Sequence, residues 1–153
     1  MQGIYGVPVS VAEGEALPLP AQALDDTRGQ YLALTLIDAL PPPADPHDRT
    51  LGLTEADLGA RKLNFVFGQA QLPGDRAVMS LARLRPEYWG HHEPDRGLLR
   101  ERGVKIAVHE LGHTFGLRHC DSPGCIMQFA NMLAQLDDMN VEFCDDCEAK
   151  LGR

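Results

Sequence analysis

One short stretch of the chain has residue types and spacing that can bind and use a metal ion. His109 and His113 are four residues apart, so on a helix both imidazoles lie on one face and can bind one cation. Gly116 can adopt the positive φ that ends a helix, so that the chain turns back and offers His119 as a third ligand. Three neutral imidazoles leave the fourth position of a tetrahedral Zn²⁺ ion open for water, as a catalytic site requires. Glu110 lies where its carboxylate can reach that water as a general base and acid without binding the metal.

A chance match is the alternative interpretation of this stretch. H-E-x-x-H by itself also occurs on ordinary amphipathic helices. Here the pattern extends to H-E-x-x-H-x-x-G-x-x-H over residues 109–119, and Met127 follows in a predicted tight turn. Three histidines and a glycine at these offsets are not typical of core residues, so the sequence predicts a catalytic zinc site. Met127 is expected to pack rather than bind, because a thioether is a poor zinc ligand beside three imidazoles.

All four cysteines follow the histidine motif in the chain, at Cys120, Cys125, Cys144 and Cys147. Two disulfides are one interpretation. The other is a structural zinc held by four thiolates, which the C-x-x-C spacing and a reducing compartment favour. Such a site is closed, and its metal would supply part of the folding free energy of the C-terminal lobe. The cofactor prediction is therefore two Zn²⁺ ions per chain, one catalytic and one structural.

Length and charge limit the organisation and the partners of the protein. A chain of 153 residues predicts a single catalytic domain, with an N-terminal lobe over residues 1–116 and a C-terminal lobe over residues 117–153. The net charge of −8 provides no basic surface for nucleic acid. No stretch is apolar enough to span a membrane, and the N-terminus lacks the pattern of a signal peptide. We therefore expect a cytoplasmic monomer with neither nucleic acid nor a membrane as its partner.

Hydrophobic periodicity and turn residues predict an α+β fold with a mixed sheet, two long helices and a small zinc-stapled C-terminal lobe. The predicted helices cover residues 21–40, 98–115 and 144–151, and the predicted strands cover residues 2–10, 50–54, 63–68 and 78–84. The mixed polarity of residues 78–84 suits a sheet edge near a cleft, with which an extended substrate can pair. His91 and His92 precede the second long helix and either line this cleft or are solvated loop residues.

Taken together, these motifs resemble one family, the archaemetzincins, which are small metzincin-like zinc proteins of archaea, some bacteria and animals. The resemblance covers nearly the whole chain and includes the amino-acid sequences of the strand regions at residues 63–70 and 78–84. Its most specific parts are H-E-x-x-H-x-x-G-x-x-H-C over residues 109–120, C-x-M over residues 125–127 and C-x-x-C over residues 144–147.

The resemblance implies a metzincin-type fold, with a catalytic zinc in a cleft between a mixed-sheet lobe and a small C-terminal lobe. It implies that His109, His113 and His119 bind this zinc, that Glu110 is the general base and acid, and that Met127 lies beneath the metal. It also implies that the four cysteines bind the second zinc. Aminopeptidase activity on small peptides is implied for at least some members.

The leading functional hypothesis is a zinc-dependent metallopeptidase that hydrolyses peptide bonds. The alternative is a non-catalytic zinc-binding or partner-binding protein with a metzincin fold, and a weaker one is a regulatory metallopeptidase silenced by its own cleft residues. Glu110 favours the enzyme, because a purely structural site needs neither a carboxylate there nor an open coordination position.

Overall fold

The computed structural model describes residues 2–12, 16–91 and 93–152 of the chain. Within these ranges the protein forms five α-helices and two small sheets, which confirms the α+β class. The helices are α1 (Gln2–Tyr5), α2 (Ala33–Ala39), α3 (Arg96–Thr114), α4 (Leu133–Asp138) and α5 (Asp145–Lys150). The strands are β1 (Leu24–Asp25), β2 (Gln30–Leu32), β3 (Thr50–Thr54), β4 (Leu58–Ala60), β5 (Leu63–Val66), β6 (Gly68–Ala70) and β7 (Arg76–Ser80).

Both sheets are mixed in strand direction. The first has the order β1-β2-β4-β5, and its central pair, β2 and β4, is parallel. The second has the order β3-β7-β6, in which β3 and β7 are parallel and β6 and β7 are antiparallel. Helix α3 contacts β6 and β7 of the second sheet, so this sheet positions whatever chemistry the helix carries.

The prediction that residues 78–84 form an edge strand is wrong. Strand β7 lies in the middle of its sheet, and Ala77, Val78 and Met79 are all buried. The mixed polarity that suggested an edge belongs to the residues after the strand, since Ala82–Leu84 forms a 3₁₀ helix. A strand that is covered on both faces has a continuous run of apolar residues in its sequence, and not an alternation of apolar and polar residues.

Helix α3 is the longest helix in the described ranges and agrees with the helix predicted over residues 98–115. It begins at an Asp95 N-cap, whose Oδ1 accepts a hydrogen bond from the backbone N–H of Leu98 at 2.8 Å. It ends after Thr114, and Gly116 then adopts a φ of 93°. Buried Ile106 on this helix packs in one apolar cluster with side chains from β7, α4 and the residue before β6.

The long helix predicted over residues 21–40 is wrong in its first half. Only Ala33–Ala39 is α-helical; Ala21–Ala23 forms a single 3₁₀ turn, and the residues between them form the hairpin of β1 and β2. Asp25 Oδ1 accepts hydrogen bonds from the backbone N–H groups of Thr27 and Arg28, and Gly29 has a φ of 64°. This local turn competes successfully with the helix.

The strand predicted over residues 2–10 is also wrong. The first turn of the chain is helix α1, and the Tyr5 hydroxyl donates to the backbone carbonyl of Val108 on α3. Val7 and Val9, whose alternation suggested the strand, are exposed and belong to no sheet. Alternation therefore predicted a strand where no neighbouring strand is available to pair with it.

Part of the C-terminal segment packs against α3 in a second apolar cluster. The helix predicted over residues 144–151 agrees with α5, and Cys147 from this helix lies in a buried cluster with Val108, Met127 and Phe143. Among the described residues, no helix is both long and apolar enough to cross a lipid bilayer. The division into lobes over residues 1–116 and 117–153 stays a prediction.

Candidate metal centres and cleft

Helix α3 places two imidazoles side by side with a defined orientation. His109 Nδ1 lies 2.7 Å from the carbonyl oxygen of Ile126, and His113 Nδ1 lies 2.7 Å from that of Leu117. A carbonyl oxygen only accepts, so in each neutral ring Nδ1 carries the hydrogen and donates it. Nε2 of each ring therefore carries a free lone pair, which is the tautomer that metal ligation requires.

These two lone pairs face each other without a hydrogen atom between them. His109 Nε2 and His113 Nε2 are 3.1 Å apart. Two zinc ligands at Zn–N distances of 2.0–2.1 Å in tetrahedral geometry are about 3.3 Å apart. The donor set thus fits a cation that both nitrogens approach.

The turn at Gly116 brings the third histidine to the first two, as predicted. The ring centroid of His119 is 5.3 Å from that of His109 and 5.0 Å from that of His113. One ligand atom from each ring lies within 4.8 Å of the others. We call these three residues the histidine cluster.

Burial keeps the histidine cluster neutral. It lowers the pKa of His109 to about 4, and repulsion from the neighbouring His113 acts in the same direction. Burial also lowers the pKa of His113 and that of His119. All three imidazoles are therefore unprotonated near neutral pH and able to donate electron pairs.

Glu110 is a buried carboxylic acid beside the histidine cluster. Its side chain has 5% relative exposure and lines the same cavity as the three imidazoles. Burial raises the pKa of Glu110 to about 8 in the protein without a metal ion. A neighbouring cation acts in the opposite direction, because it favours the charged carboxylate.

Met127 packs tightly beneath helix α3. Its side chain is completely buried, in an apolar cluster with Val108, Ile126 and Phe143. A Cβ atom added to Gly112 would lie only 2.6 Å from Met127 Sδ. The methionine and the helix approach this closely because residue 112 has no side chain.

The four cysteines also converge, and their sulfur atoms lie within 4.8 Å of one another. Cys120 Sγ is 3.7 Å from Cys144 Sγ, and Cys125 Sγ is 3.9 Å from Cys147 Sγ. A disulfide needs about 2.05 Å, whereas two sulfur ligands of a tetrahedral zinc are about 3.8 Å apart. The separations favour the metal interpretation over two disulfides. We call these four residues the cysteine cluster.

Hydrogen-bond donors surround part of the cysteine cluster. Backbone N–H groups of Ser122 and Cys144 each lie 3.4 Å from a sulfur atom, of Cys120 and Cys125 respectively. A hydrogen bond with Ser122 and one from the Cys147 backbone lower the pKa of Cys144 to about 6. Burial instead raises the pKa of Cys125 and that of Cys147. Donors of this kind stabilise a thiolate, which is the form that binds metal.

The histidine cluster and Glu110 open into a cavity of about 480 Å³. Apolar side chains form much of its wall, and Arg118 is the cation among the described lining residues. The apolar lining includes Phe65, Phe67, Ile106, Phe129, Leu136 and Met139. The phenyl ring of Phe129 lies 5.2 Å from the imidazole of His119.

Strand β6 forms one wall of this cavity and has an open edge. The backbone N–H of Ser80 in β7 donates to the carbonyl of Phe67 at 2.9 Å. This hydrogen bond determines which residues of the antiparallel ladder point their backbone groups toward β7 and which point them away. By alternation, the backbone groups of Gly68 and Ala70 point away from β7. Both residues line the cavity, so this edge, and not residues 78–84, faces the cleft.

His91, which precedes α3, does not join this site. His91 is exposed and lines a separate shallow cavity of about 560 Å³ with Trp89, Asp95 and Arg102. This position agrees with a solvated loop residue. His92 lies outside the described residues.

The sequence pattern did not single out Gly68, although this residue touches Glu110. A Cβ atom added to Gly68 would lie 2.7 Å from Glu110 Cγ. An isolated glycine inside a predicted strand is a signal for close approach of another group. That signal was present, but it does not say which group approaches.

An α+β fold with a cleft that holds three convergent imidazoles and a buried carboxylic acid defines a zinc-dependent metallopeptidase. Comparison with known proteins gives the family. Residues 22–153 match the model of "Peptidase family M54". The chain belongs to peptidase family M54, as an archaemetzincin-type zinc peptidase, and the resemblance drawn from its motifs is confirmed.

The chain is similar to archaemetzincins along most of their length. It is 48% identical over 135 residues to the archaemetzincin of Methanopyrus kandleri, which covers 88% of this chain and 73% of that protein. The crystal structure of the same archaemetzincin superposes with a TM-score of 0.76 over 88% of this chain and 73% of that one, at 47% identity. A zinc-dependent peptidase from Methanocorpusculum labreanum gives a TM-score of 0.85 at 33% identity, over 98% of this chain and 88% of that one.

Proposed function

We propose that this zinc-dependent peptidase holds its catalytic zinc on His109, His113 and His119 and uses Glu110 as the general base and acid. The observation that carries the proposal is the pair of unprotonated Nε2 atoms 3.1 Å apart, each fixed by an Nδ1–H donated to a carbonyl. A zinc ion held there supplies Lewis acidity toward a peptide carbonyl and makes water nucleophilic near neutral pH.

The chain's own residues perform the remaining tasks. Glu110 takes a proton from the attacking water and passes it to the leaving amine, which requires a carboxylate within reach of both. The carbonyls of Ile126 and Leu117 keep the two helical imidazoles in one orientation throughout. The apolar cavity wall limits access of bulk water, which strengthens the electrostatic interactions within the cleft.

The substrate is a short peptide that lies extended along β6. The backbone groups of Gly68 and Ala70 that point away from β7 can pair with such a peptide. A cavity of about 480 Å³ with apolar walls accommodates one large side chain beside the scissile bond. We propose aminopeptidase specificity on this basis and on the family resemblance. Removal of turnover by N-acetylation of a tripeptide supports it, and equal cleavage of the blocked tripeptide contradicts it.

The cysteine cluster is proposed to hold the second, structural zinc. The sulfur separations of 3.7 and 3.9 Å support a tetrahedral thiolate site. We propose a monomer with a single catalytic domain, in which this site stabilises residues 117–153. Elemental analysis of the purified protein tests the proposal, and two zinc ions per chain is the expected result.

The alternative, a zinc-binding protein without catalysis, is tested at Glu110. We expect Glu110→Gln to lower the turnover of short peptides by at least about 100-fold at unchanged zinc content, because a general base contributes 10²–10⁴-fold. Glu101→Gln is the matched control, since Glu101 lies on the same helix, has 61% side-chain exposure and pairs with Lys105 instead of facing the cleft. Equal turnover by Glu110→Gln and wild type would refute the enzymatic role of Glu110.

A further inference from the structure

Gly68 and Glu110 lie so close together that a residue with a side chain at position 68 would overlap Glu110. A Cβ atom built on Gly68 lies 2.7 Å from both Cγ and Oε1 of Glu110, and 2.9 Å from Cδ. Nonbonded carbon atoms prefer separations of about 3.5–4.0 Å. A single methyl group at this position therefore overlaps three atoms of the carboxylate side chain.

Backbone conformation does not explain the glycine. The described glycines with positive φ include Gly29, Gly90 and Gly116 but not Gly68. Gly68 is part of regular strand β6 and lies opposite Met79 in the ladder. The absence of a side chain is thus needed for the space that it leaves, and not for a special φ.

Neither backbone can move easily to relieve this overlap. Strand β6 is hydrogen-bonded to the buried central strand β7, and Glu110 lies within the continuous helix α3 between two members of the histidine cluster. Glu110 has 5% relative exposure, so its surroundings leave few alternative rotamers. An added methyl group must therefore displace the carboxylate by turning its side chain.

The displaced carboxylate would leave the edge that faces the cleft. The backbone groups of Gly68 point away from β7 into the cavity, so Glu110 packs against the strand beside the surface where an extended peptide would pair. The backbone of residue 68 then positions both the general base and the substrate backbone. An error of about 1 Å in such an arrangement can lower the rate 100-fold.

We propose that Gly68 is a positioning residue for Glu110, whose missing side chain allows the carboxylate to lie against the open edge of β6. The inference rests on the proposed role of Glu110 as general base. It predicts that residue 68 controls turnover through the carboxylate alone, while zinc binding by the histidine cluster is independent of it.

The first measurement is the activity of Gly68→Ala. We expect kcat to fall about 100-fold, KM to change by less than about threefold and zinc content to stay at the wild-type value. Gly52→Ala is the matched control, because Gly52 lies in β3 at the opposite edge of the same sheet, where the nearest atoms to an added Cβ belong to the Leu40 side chain, at 3.0 Å. Wild-type kcat in Gly68→Ala, or loss of its zinc, would overturn the proposal.

A double-mutant cycle separates positioning from a general packing defect. Glu110→Ala removes the three overlapped atoms, so adding Gly68→Ala to it should leave the melting temperature unchanged, whereas Gly68→Ala alone should lower it. In activity, Glu110→Asp should cost at least tenfold less in the Gly68→Ala background than in wild type. Equal destabilisation by Gly68→Ala in both backgrounds, or losses of kcat that simply multiply, would overturn the proposal.

The stability measurements of the double-mutant cycle also test the proposal if Gly68→Ala does not fold. In that case the double variant with Glu110→Ala must recover a folded, zinc-containing protein, and its failure to do so would overturn the proposal. Failure of the proposed function looks different. If Glu110 is not the base, Glu110→Gln retains turnover while the stability coupling between residues 68 and 110 persists.

Discussion

The histidine cluster and the cysteine cluster are neighbours in the chain but are built in opposite ways. His119 and Cys120 are adjacent residues, yet the first belongs to a cluster that opens into a cavity and the second to one with two buried members, Cys125 and Cys147. Carbonyl acceptors orient the imidazoles of His109 and His113, whereas two of the sulfur atoms, those of Cys120 and Cys125, receive backbone N–H donors. Acceptors hold a neutral ring in one tautomer, and donors stabilise an anionic sulfur.

This difference is the basis for the proposed roles, catalysis for the histidine cluster and stability for the cysteine cluster. The histidine cluster has a rigid helix beneath it and a buried glutamate beside it. The cysteine cluster joins two separate segments, since Cys125 follows an irregular loop and Cys147 lies in the six-residue helix α5. The backbone N–H of Cys120 also donates to the carbonyl of Met127, so the same segment supports the turn that presents His119.

The largest effect on stability is expected from Cys147→Ser. This change removes a buried thiol, the proposed zinc ligand Cys147, from the cysteine cluster, and structural zinc in small domains contributes strongly to folding. We expect the free energy of unfolding to fall by at least about 3 kcal/mol and zinc to decrease from two ions to one. Thermal unfolding with elemental analysis measures both. If the variant has the wild-type melting temperature and keeps two zinc ions, the cysteine cluster does not have the structural role that distinguishes it from the histidine cluster.

His119→Ala should show the reverse pattern. His119 is exposed at the cavity, so its loss costs little packing, and we expect the free energy of unfolding to change by less than about 1 kcal/mol. Zinc should again decrease to one ion, and peptide turnover should disappear. Unfolding of this variant at the temperature of Cys147→Ser would show that both clusters are structural.

Met127→Leu should affect zinc content and activity less than Cys147→Ser or His119→Ala. The buried side chain keeps its volume, and such a swap usually costs less than about 1.5 kcal/mol. We expect both zinc ions and most activity to remain. Gly112→Ala should cost more, because its Cβ atom would lie 2.6 Å from Met127 Sδ. Complete loss of metal from Met127→Leu would show that the methionine does more than pack.

The smallest effect on zinc content and activity concerns an ion pair that belongs to neither cluster, between Asp57 and Arg83, whose side chains are 16% and 17% exposed. Burial alone would raise the pKa of Asp57, but hydrogen bonds from Arg83 and Gln30 outweigh it and lower the pKa. The folded pKa lies below the unfolded value of about 3.9, so the pair stabilises the protein above that pH and stops doing so as the pH falls through the folded pKa.

Asp57→Asn should therefore lower the free energy of unfolding at pH 7 by about 1–2 kcal/mol and leave zinc content and activity unchanged. The difference from wild type should shrink below about pH 4. Urea unfolding at several pH values measures it. A constant difference down to pH 2 would show that the charge of Asp57 is not responsible.

The sequence predicted helix α3 well because its information is local. The spacing of His109 and His113, the apolar stripe with Ile106 and the stop at Gly116 all follow from one helical period. Strands β3 and β5 were likewise found from runs of β-forming residues. Residues 21–40 failed because the turn formed by Asp25 and Gly29 interrupts an otherwise helical pattern.

The sequence by itself determined the donor atoms: two imidazoles and a carboxylate at helical spacing, a third imidazole after the glycine that ends the helix, and four thiols in two pairs. Tertiary structure alone decided which carbonyls orient the imidazoles, which strand edge faces the cleft, and that Gly68 lies against Glu110. The physical reason is the separation along the chain of the residues that are in contact. Spacing along one helix fixes the relative positions of its own side chains, whereas a contact between β6 and α3 depends on how distant segments pack, and no short stretch of sequence encodes that.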